Sequence, residues 1–107
     1  MKAMFSKCIS LEELDVSKFD IENLIKMCEM FFGCKSLKKL DLSNFSTNKV
    51  TDMSEMFNGC SALEELNISN FNTNNIIHFK KMFKNCSNDL KNKIKTQNKN
   101  IKSLKYI

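Results

Sequence analysis

The 107-residue chain contains no proline, no arginine and only two glycines. The usual turn punctuation is therefore missing, and asparagine takes over that role because it tolerates tight-turn conformations. The missing arginine and the single Tyr106 argue against dedicated nucleic-acid recognition, which relies on bidentate Arg contacts and stacking aromatics. No apolar run approaches the ~20 residues needed to span a bilayer. The opening MKAMFSKC lacks the apolar stretch of a secretory signal. A cytoplasmic chain and a piece of a longer exported protein both remain open readings. No Ser-His-Asp set, glycine-rich phosphate loop or paired-carboxylate cleft is evident, so a non-enzymatic chain without cofactors is expected.

What the chain has is enough for one domain. Hydrophobic residues make up 42%, sufficient for one modest packed core. The net charge is +5, but it is unevenly spread: residues 1–90 hold 11 Lys and all 12 acids, whereas residues 91–107 hold six Lys and no acid. The basic character belongs to a tail.

Internal repetition dominates the rest. Met-Phe pairs fall at Met4-Phe5, Met30-Phe31, Met56-Phe57 and Met82-Phe83, each step being 26 residues. A Cys follows each pair at Cys8, Cys34, Cys60 and Cys86. Apolar columns continue at Leu11, Leu37 and Leu63, at Leu14, Leu40 and Leu66, at Val16, Leu42 and Ile68, and at Phe19, Phe45 and Phe71. Leu24, Val50 and Ile76 follow, then Met27, Met53 and Phe79. The segment from Leu37 to Ser43 alternates apolar and polar after Leu40, the pattern of a half-buried strand. Val50, Met53, Met56 and Phe57 have helical spacing, which predicts a short helix of about two turns, with Asp52 and Glu55 as its capping box. One such unit cannot bury its own apolar face, so the units must stack. The expected fold is an α/β leucine-rich-repeat solenoid, each repeat giving a short parallel strand and a short helix. The solenoid covers 1–87, with repeats at about 4–29, 30–55 and 56–81 and a partial one at 82–87. Residues 88–107 form a Lys/Asn-rich capping helix or tail.

In-register stacking brings Glu12, Lys38 and Glu64 into one column and Glu13, Lys39 and Glu65 into the next. Both alternate in sign between adjacent strands, which favours the register.

The string from Met56 to Phe71, MFNGCSALEELNISNF, and Val50 to Phe57, VTDMSEMF, resemble the repeat of BspA-type leucine-rich-repeat surface proteins, over roughly residues 4 to 86. The resemblance implies a right-handed solenoid, a cell-surface or extracellular location and a part in adhesion. The first repeat departs from it by having Ser6-Lys7 where the second has Phe32-Gly33, and the third has Ile77-His78-Phe79 in place of Thr51-Asp52-Met53.

Four groups of residues are candidates for chemistry. The Cys column is spaced by the repeat and lacks the close-set pairs of zinc sites, so its members are expected to be small apolar core fillers and no metal is expected. Cys28 aligns with Ser54 and Lys80 on an outward helix face, which predicts a free thiol that labels quickly. His78 aligns with Lys26 and Asp52 at solvent-facing helix starts and has no partnered nucleophile. The outward strand face offers Asp15, Asp41 and Asn67, then Ser17, Ser43 and Ser69, then Lys18, Asn44 and Asn70. Solenoids usually bind on this face, so a protein or glycan ligand is expected there. Stacked aspartates repel unless compensated. Either a cation or a partner lysine compensates them, or Asp and Ser bond locally to backbone near the strand end.

The tail places Leu90, Ile94, Gln97, Ile101 and Leu104 on one helical face. That face suits a cap over the open end of the array. The alternative is a basic arm for acidic partners. At the other end the first strand is uncapped, so either self-association or a longer parent protein that supplies more repeats is expected.

Overall fold

Leu14, Leu40 and Leu66 occupy equivalent inward positions on three short strands, and these strands set the layout of the chain. The computed structural model describes residues 6, 10–17, 25–72 and 74–98. The strands are β1 (Glu13–Leu14), β2 (Lys39–Asp41) and β3 (Glu65–Asn67), forming one parallel sheet in the order β1-β2-β3. Leu14 is the Cα partner of Leu40, and Leu40 of Leu66. Parallel neighbours cannot be joined by a hairpin, so the chain makes a full circuit between one strand and the next. In β2 and β3 only the central leucine is buried, and its neighbours face water.

The far side of each circuit is built of turns, and here the structure corrects the sequence reading. Val50 to Phe57 does not form a helix, and neither does the equivalent stretch after Met27. Backbone N–H groups on this side divide their bonds between two destinations. One set closes tight turns three residues back: Met56 donates to Met53, Cys60 to Phe57 and Leu63 to Cys60, matching Met30 to Met27, Cys34 to Phe31 and Leu37 to Cys34. The other set reaches the following circuit: Met27, Glu29, Phe31 and Gly33 donate to the carbonyls of Asp52, Ser54, Met56 and Asn58. Met53, Glu55, Phe57 and Gly59 donate likewise to His78, Lys80, Met82 and Lys84. An α-helix would commit these groups to carbonyls four residues back within its own circuit, leaving the circuits unbonded on this side. Successive three-residue turns also place apolar residues inward every third position, which is why the spacing imitates a helix.

The turns require left-handed backbone at two places per circuit. Glu29, Glu55 and Lys81 have φ of 58°, 56° and 59°, which also breaks any helix there. Gly33, Gly59 and Asn85 supply the second place, with φ of 74°, 86° and 63°. At Gly59 an added Cβ would lie 3.2 Å from the Cα of Gly33. Two circuits approach each other closely there, so glycine suits the space as well as the left-handed conformation.

The expected capping box is likewise replaced. Asp52 Oδ1 accepts from the backbone N–H of Ser54 at 2.9 Å and from its hydroxyl at 2.7 Å, while Glu55 accepts from Asn58. Lys26, Asp52 and His78 are not helix-start residues but rungs of a short parallel ladder.

Between sheet and turns lies the core. Met27, Met30, Phe31, Leu42, Val50, Met53, Met56, Phe57, Cys60 and Leu63 are fully inaccessible. Phe31 and Phe57 stack with centroids 5.7 Å apart, and Phe57 and Phe83 at 5.2 Å. Cys34, Cys60 and Cys86 are buried beside them, and the thiols of Cys60 and Cys86 donate to the carbonyls of Phe31 and Phe57. Burial pushes the Cys60 thiol strongly upward in pKa, helped by neighbouring Cys86 and Cys34, and raises Cys86 to about 11. Cys28 is also buried, at 6% exposure, which overturns the expectation of an outward thiol. The turn that replaces the expected helix folds it in against Asp52, to which its side chain hydrogen-bonds. Cys8 lies outside the described residues, as do Lys18, Phe19 and Leu24.

Helix α1 (Asn88–Gln97) closes the β3 end. Ser87 caps it by accepting from the N–H of Leu90, Asp89 sits in the first turn and Lys95 in the last, both favourable to the helix dipole. Leu90 and Ile94, one turn apart, are buried in the common core. Gln97, expected on the same face, is exposed. Ile101 and Leu104 lie outside the described residues.

Candidate functional site

The outer face of the sheet carries two rows of side chains at strand positions that flank the buried leucines. Glu13, Lys39 and Glu65 are successive Cα partners, and Lys39 Nζ stands 4.0 Å from Glu65 Oε2 with both side chains well exposed. An exposed pair of this kind contributes little, about 0–1 kcal/mol. Asp41 is the Cα partner of Asn67, and Asp15 directly follows β1.

The Asp/Asn row is held by a motif that recurs on each circuit. Ser17 N–H donates to Asp15 Oδ1 at 2.9 Å, Ser43 N–H to Asp41 Oδ1 at 2.9 Å, and Ser69 N–H to Asn67 Oδ1 at 3.0 Å. The hydrogen bonds from Ser43, side chain first and then backbone, hold the Asp41 carboxyl below its usual range. Local bonding thus supplies the compensation that stacked aspartates need, as one of the two sequence readings has it. The next column ties circuits together: Asn44 Nδ2 donates to the carbonyl of Ser17 at 3.3 Å, and Asn70 Nδ2 to that of Ser43. Asx turns fix each strand end, and asparagine rungs fix its distance from the next. The six residues Asp15, Ser17, Asp41, Ser43, Asn67 and Ser69 therefore form a pre-organised polar strip.

On one side this strip has a wall. A groove runs over Lys39, Asp41, Glu65 and Asn67 and rises against Lys93 and Gln97 of α1. Lys93 Nζ reaches the carbonyl of Glu64 at 3.4 Å, pinning the helix to the edge of β3. A shallower depression continues over Glu13, Asp15 and Ser17. Alternating charges, amides and hydroxyls on a rigid frame suit multidentate hydrogen bonding to an extended polar ligand.

A second cluster stands on the turn side, where Asp52 accepts from Ser54 and Cys28 and feels the charge of exposed His78. Burial raises the Asp52 carboxyl, but the Ser54 bonds, His78 and Cys28 outweigh it, and the pKa is lowered. The order of groups matters here. An acyl-transfer triad sets the imidazole against the nucleophile, whereas here the carboxylate bonds the thiol. Among the described residues no group of three or more His, Cys, Asp or Glu is arranged to hold a metal ion.

Sequence reasoning missed the turn-side ladder of Lys26, Asp52 and His78 and the asparagine rungs. Asn44 and Asn70, one circuit apart and next to the Ser column, were the available signal for the rungs. The Glu29, Glu55 and Lys81 turns carried none, because their residue types do not mark a positive φ.

Among the described residues, three parallel strands and one helix, with the polar strip on the outer sheet face, define a small α/β protein. The chain belongs to the family described as Mycoplasma protein of unknown function, DUF285, which it matches over residues 1–107. No curated protein and no solved structure matches it. Among the described residues no helix is long and apolar enough to cross a membrane.

Proposed function

We propose that the chain is a leucine-rich-repeat solenoid of the BspA type and serves as a non-enzymatic interaction or adhesion module. Its outer sheet face takes a protein or glycan ligand through Asp15, Ser17, Asp41, Ser43, Asn67 and Ser69. The observation that carries this reading is the polar strip itself: an exposed row of Asx turns in one register, open to solvent along three strands. The 26-residue register of the strands and the resemblance of Met56 to Phe71 to BspA-type repeats support the architecture. An extended concave or flat strand surface is what stacked-unit proteins offer to partners, and rigid polar groups bind without a large ordering cost.

A glycan array and immobilised extracellular-matrix proteins, probed with the wild-type chain and with Asp41→Ala/Asn67→Ala, test the proposal. Binding by the wild type that drops at least about tenfold in the folded variant supports it, a loss of ~1.4 kcal/mol. Equal binding by both, or none by either, overturns it. Binding that survives the variant but vanishes in salt would assign contact to the exposed lysines of α1 instead.

A further inference from the structure

On the turn side, N–H groups of one circuit point to carbonyls of the next. Glu29, Phe31 and Gly33 donate to Ser54, Met56 and Asn58, and Glu55, Phe57 and Gly59 donate to Lys80, Met82 and Lys84. The fourth circuit repeats the same backbone. Lys81 and Asn85 take the two left-handed places, Lys84 N–H closes onto Lys81, Cys86 N–H closes onto Phe83, and the Phe83 ring stacks on that of Phe57. The N–H groups of Lys81, Phe83 and Asn85 therefore point away from the third circuit, in a row. After Ser87 the chain enters α1 instead of making another circuit. Among the described residues no group accepts from these three donors. A backbone donor without an acceptor costs free energy comparable to a lost hydrogen bond.

The side chains change sign at the same circuit. The column of Glu29 and Glu55 continues as Lys81, that of Cys28 and Ser54 as Lys80, and that of Phe32 and Asn58 as Lys84, and all three lysines are exposed. No acid occurs from His78 to Asn88, and residues 99–107, which lie outside the described residues, add Lys99, Lys102 and Lys105 to the composition and no acid. Glu55 belongs to the preceding circuit and accepts from Asn58. Among the described residues the ion pair is Lys39 with Glu65, so Lys81 is not paired to Glu55. Asp89 of α1 lines a depression with Lys38 and Ser61 of earlier circuits.

We infer that the donor row and its lysines form a second binding site, for a sulfate or phosphate group. Backbone N–H groups in turn conformations seat oxyanions. Lys80, Lys81 and Lys84 supply the charge on flexible stems, and bonds to an ionised acceptor are stronger than neutral ones. The carbonyls of an extended peptide would also satisfy the row, but they leave three clustered lysines uncompensated, so the oxyanion is favoured. The site shares no residue with the polar strip and does not depend on the ligand of the sheet face.

Amide hydrogen exchange and NMR titration of the intact chain test it. The amides of Lys81, Phe83 and Asn85 should exchange faster than those of Glu55, Phe57 and Gly59. They should shift saturably with sodium sulfate or inorganic phosphate, and not with sodium chloride at the same ionic strength, which controls for screening. A sulfated disaccharide that binds more tightly than free sulfate assigns the group to an ester on a sugar, whereas the reverse order assigns the free ion, and both support the site. Lys81→Glu restores the residue of the earlier circuits, which hold glutamate at the same backbone conformation, so the fold is kept. Its sulfate affinity should fall at least about tenfold. Lys35→Glu makes the same change of charge on an exposed residue two circuits away and should bind sulfate as the wild type does. Equal protection of the two sets of amides, no saturable shift, or an equal effect of Lys81→Glu and Lys35→Glu overturns the inference.

Discussion

The sheet side and the turn side of each circuit solve the same problem by different means. On the sheet side, extended backbone bonds to its neighbour through every other residue, and the side chains between are free to vary. Glu13, Lys39 and Glu65 occupy one column without disturbing the register. On the turn side the backbone divides its bonds within and between circuits, and the division is set by left-handed residues at fixed places. A surface meant to vary for recognition belongs on the first side, and positions that tolerate little change belong on the second.

The heaviest perturbation is one that both sides share. Leu40 is 3% exposed at the centre of the sheet and pairs with Leu14 and Leu66. Leu40→Asp buries an unpaired charge between them, and a loss of more than about 4 kcal/mol should unfold the chain. Loss of the circular dichroism signal and of a cooperative melt at neutral pH checks this.

Alkali should act next, and on the turn side alone. Thiols of Cys60 and Cys86 sit above their ordinary value of 9.0, Cys86 near 11 and Cys60 higher, because burial disfavours the thiolate. The unfolded chain releases these protons first, so stability is complete below pH 9 and falls as pH rises from 9 through about 11. Cys60 alone should contribute a loss of about 2–3 kcal/mol by pH 11. Urea midpoints between pH 7 and 10.5 read the slope, and Cys60→Ala should flatten it. The same burial predicts that Cys28, Cys34, Cys60 and Cys86 all resist thiol reagents until the protein unfolds.

Gly59→Ala separates the two sides more sharply. The backbone at φ 86° disfavours any side chain, and the new Cβ meets the Cα and N of Gly33 at 3.2 and 3.4 Å, which cannot yield without moving a neighbouring circuit. A loss of about 1–3 kcal/mol is expected from urea unfolding. An alanine at Asp41, on the sheet side, should lose only about 1 kcal/mol, because the bonds that Asp41 accepts from the Ser43 side chain and backbone are exposed to water. If the two variants melt alike, the contrast between the sides is wrong.

The same contrast explains what could be read in advance. Inward leucines alternate with exposed residues, so period two betrays a strand wherever one face is buried. The spacing of Val50, Met53, Met56 and Phe57 was equally clear and misled, because turns of three residues and helical turns of 3.6 cannot be told apart over eight positions. Only the backbone bonds distinguish them, and those depend on φ at Glu55, a residue with no left-handed preference. Cys28 went astray for the same reason: an outward position on a helix became an inward one on a turn. On the candidate site, the columns of Asp, Ser and Asn were visible as columns. That Asp41 spends one oxygen on Ser43 and Asn70 ties the circuits together depended on where the strand ended, which composition does not specify.

The smallest effect is a gain, and it tests the turn side where it is most strained. Lys81 is exposed, holds φ at 59° and is the left-handed residue of the last circuit, equivalent to Glu29 and Glu55. A side chain in this conformation costs about 1–2 kcal/mol. Lys81→Gly removes that cost and adds back roughly 0.4–1 kcal/mol of unfolded-chain entropy, so a net gain of about 0.5 kcal/mol is expected. Glu55→Gly should gain less, because Glu55 also accepts a hydrogen bond from Asn58 at 3.1 Å that glycine cannot replace. A rise in urea midpoint for Lys81→Gly, with a smaller change for Glu55→Gly, would show that strain at these turns is real and is opposed by the bonds between circuits. A fall at Lys81 would mean that its backbone relaxes in solution, and with it the division of hydrogen bonds that distinguishes the turn side from a helix.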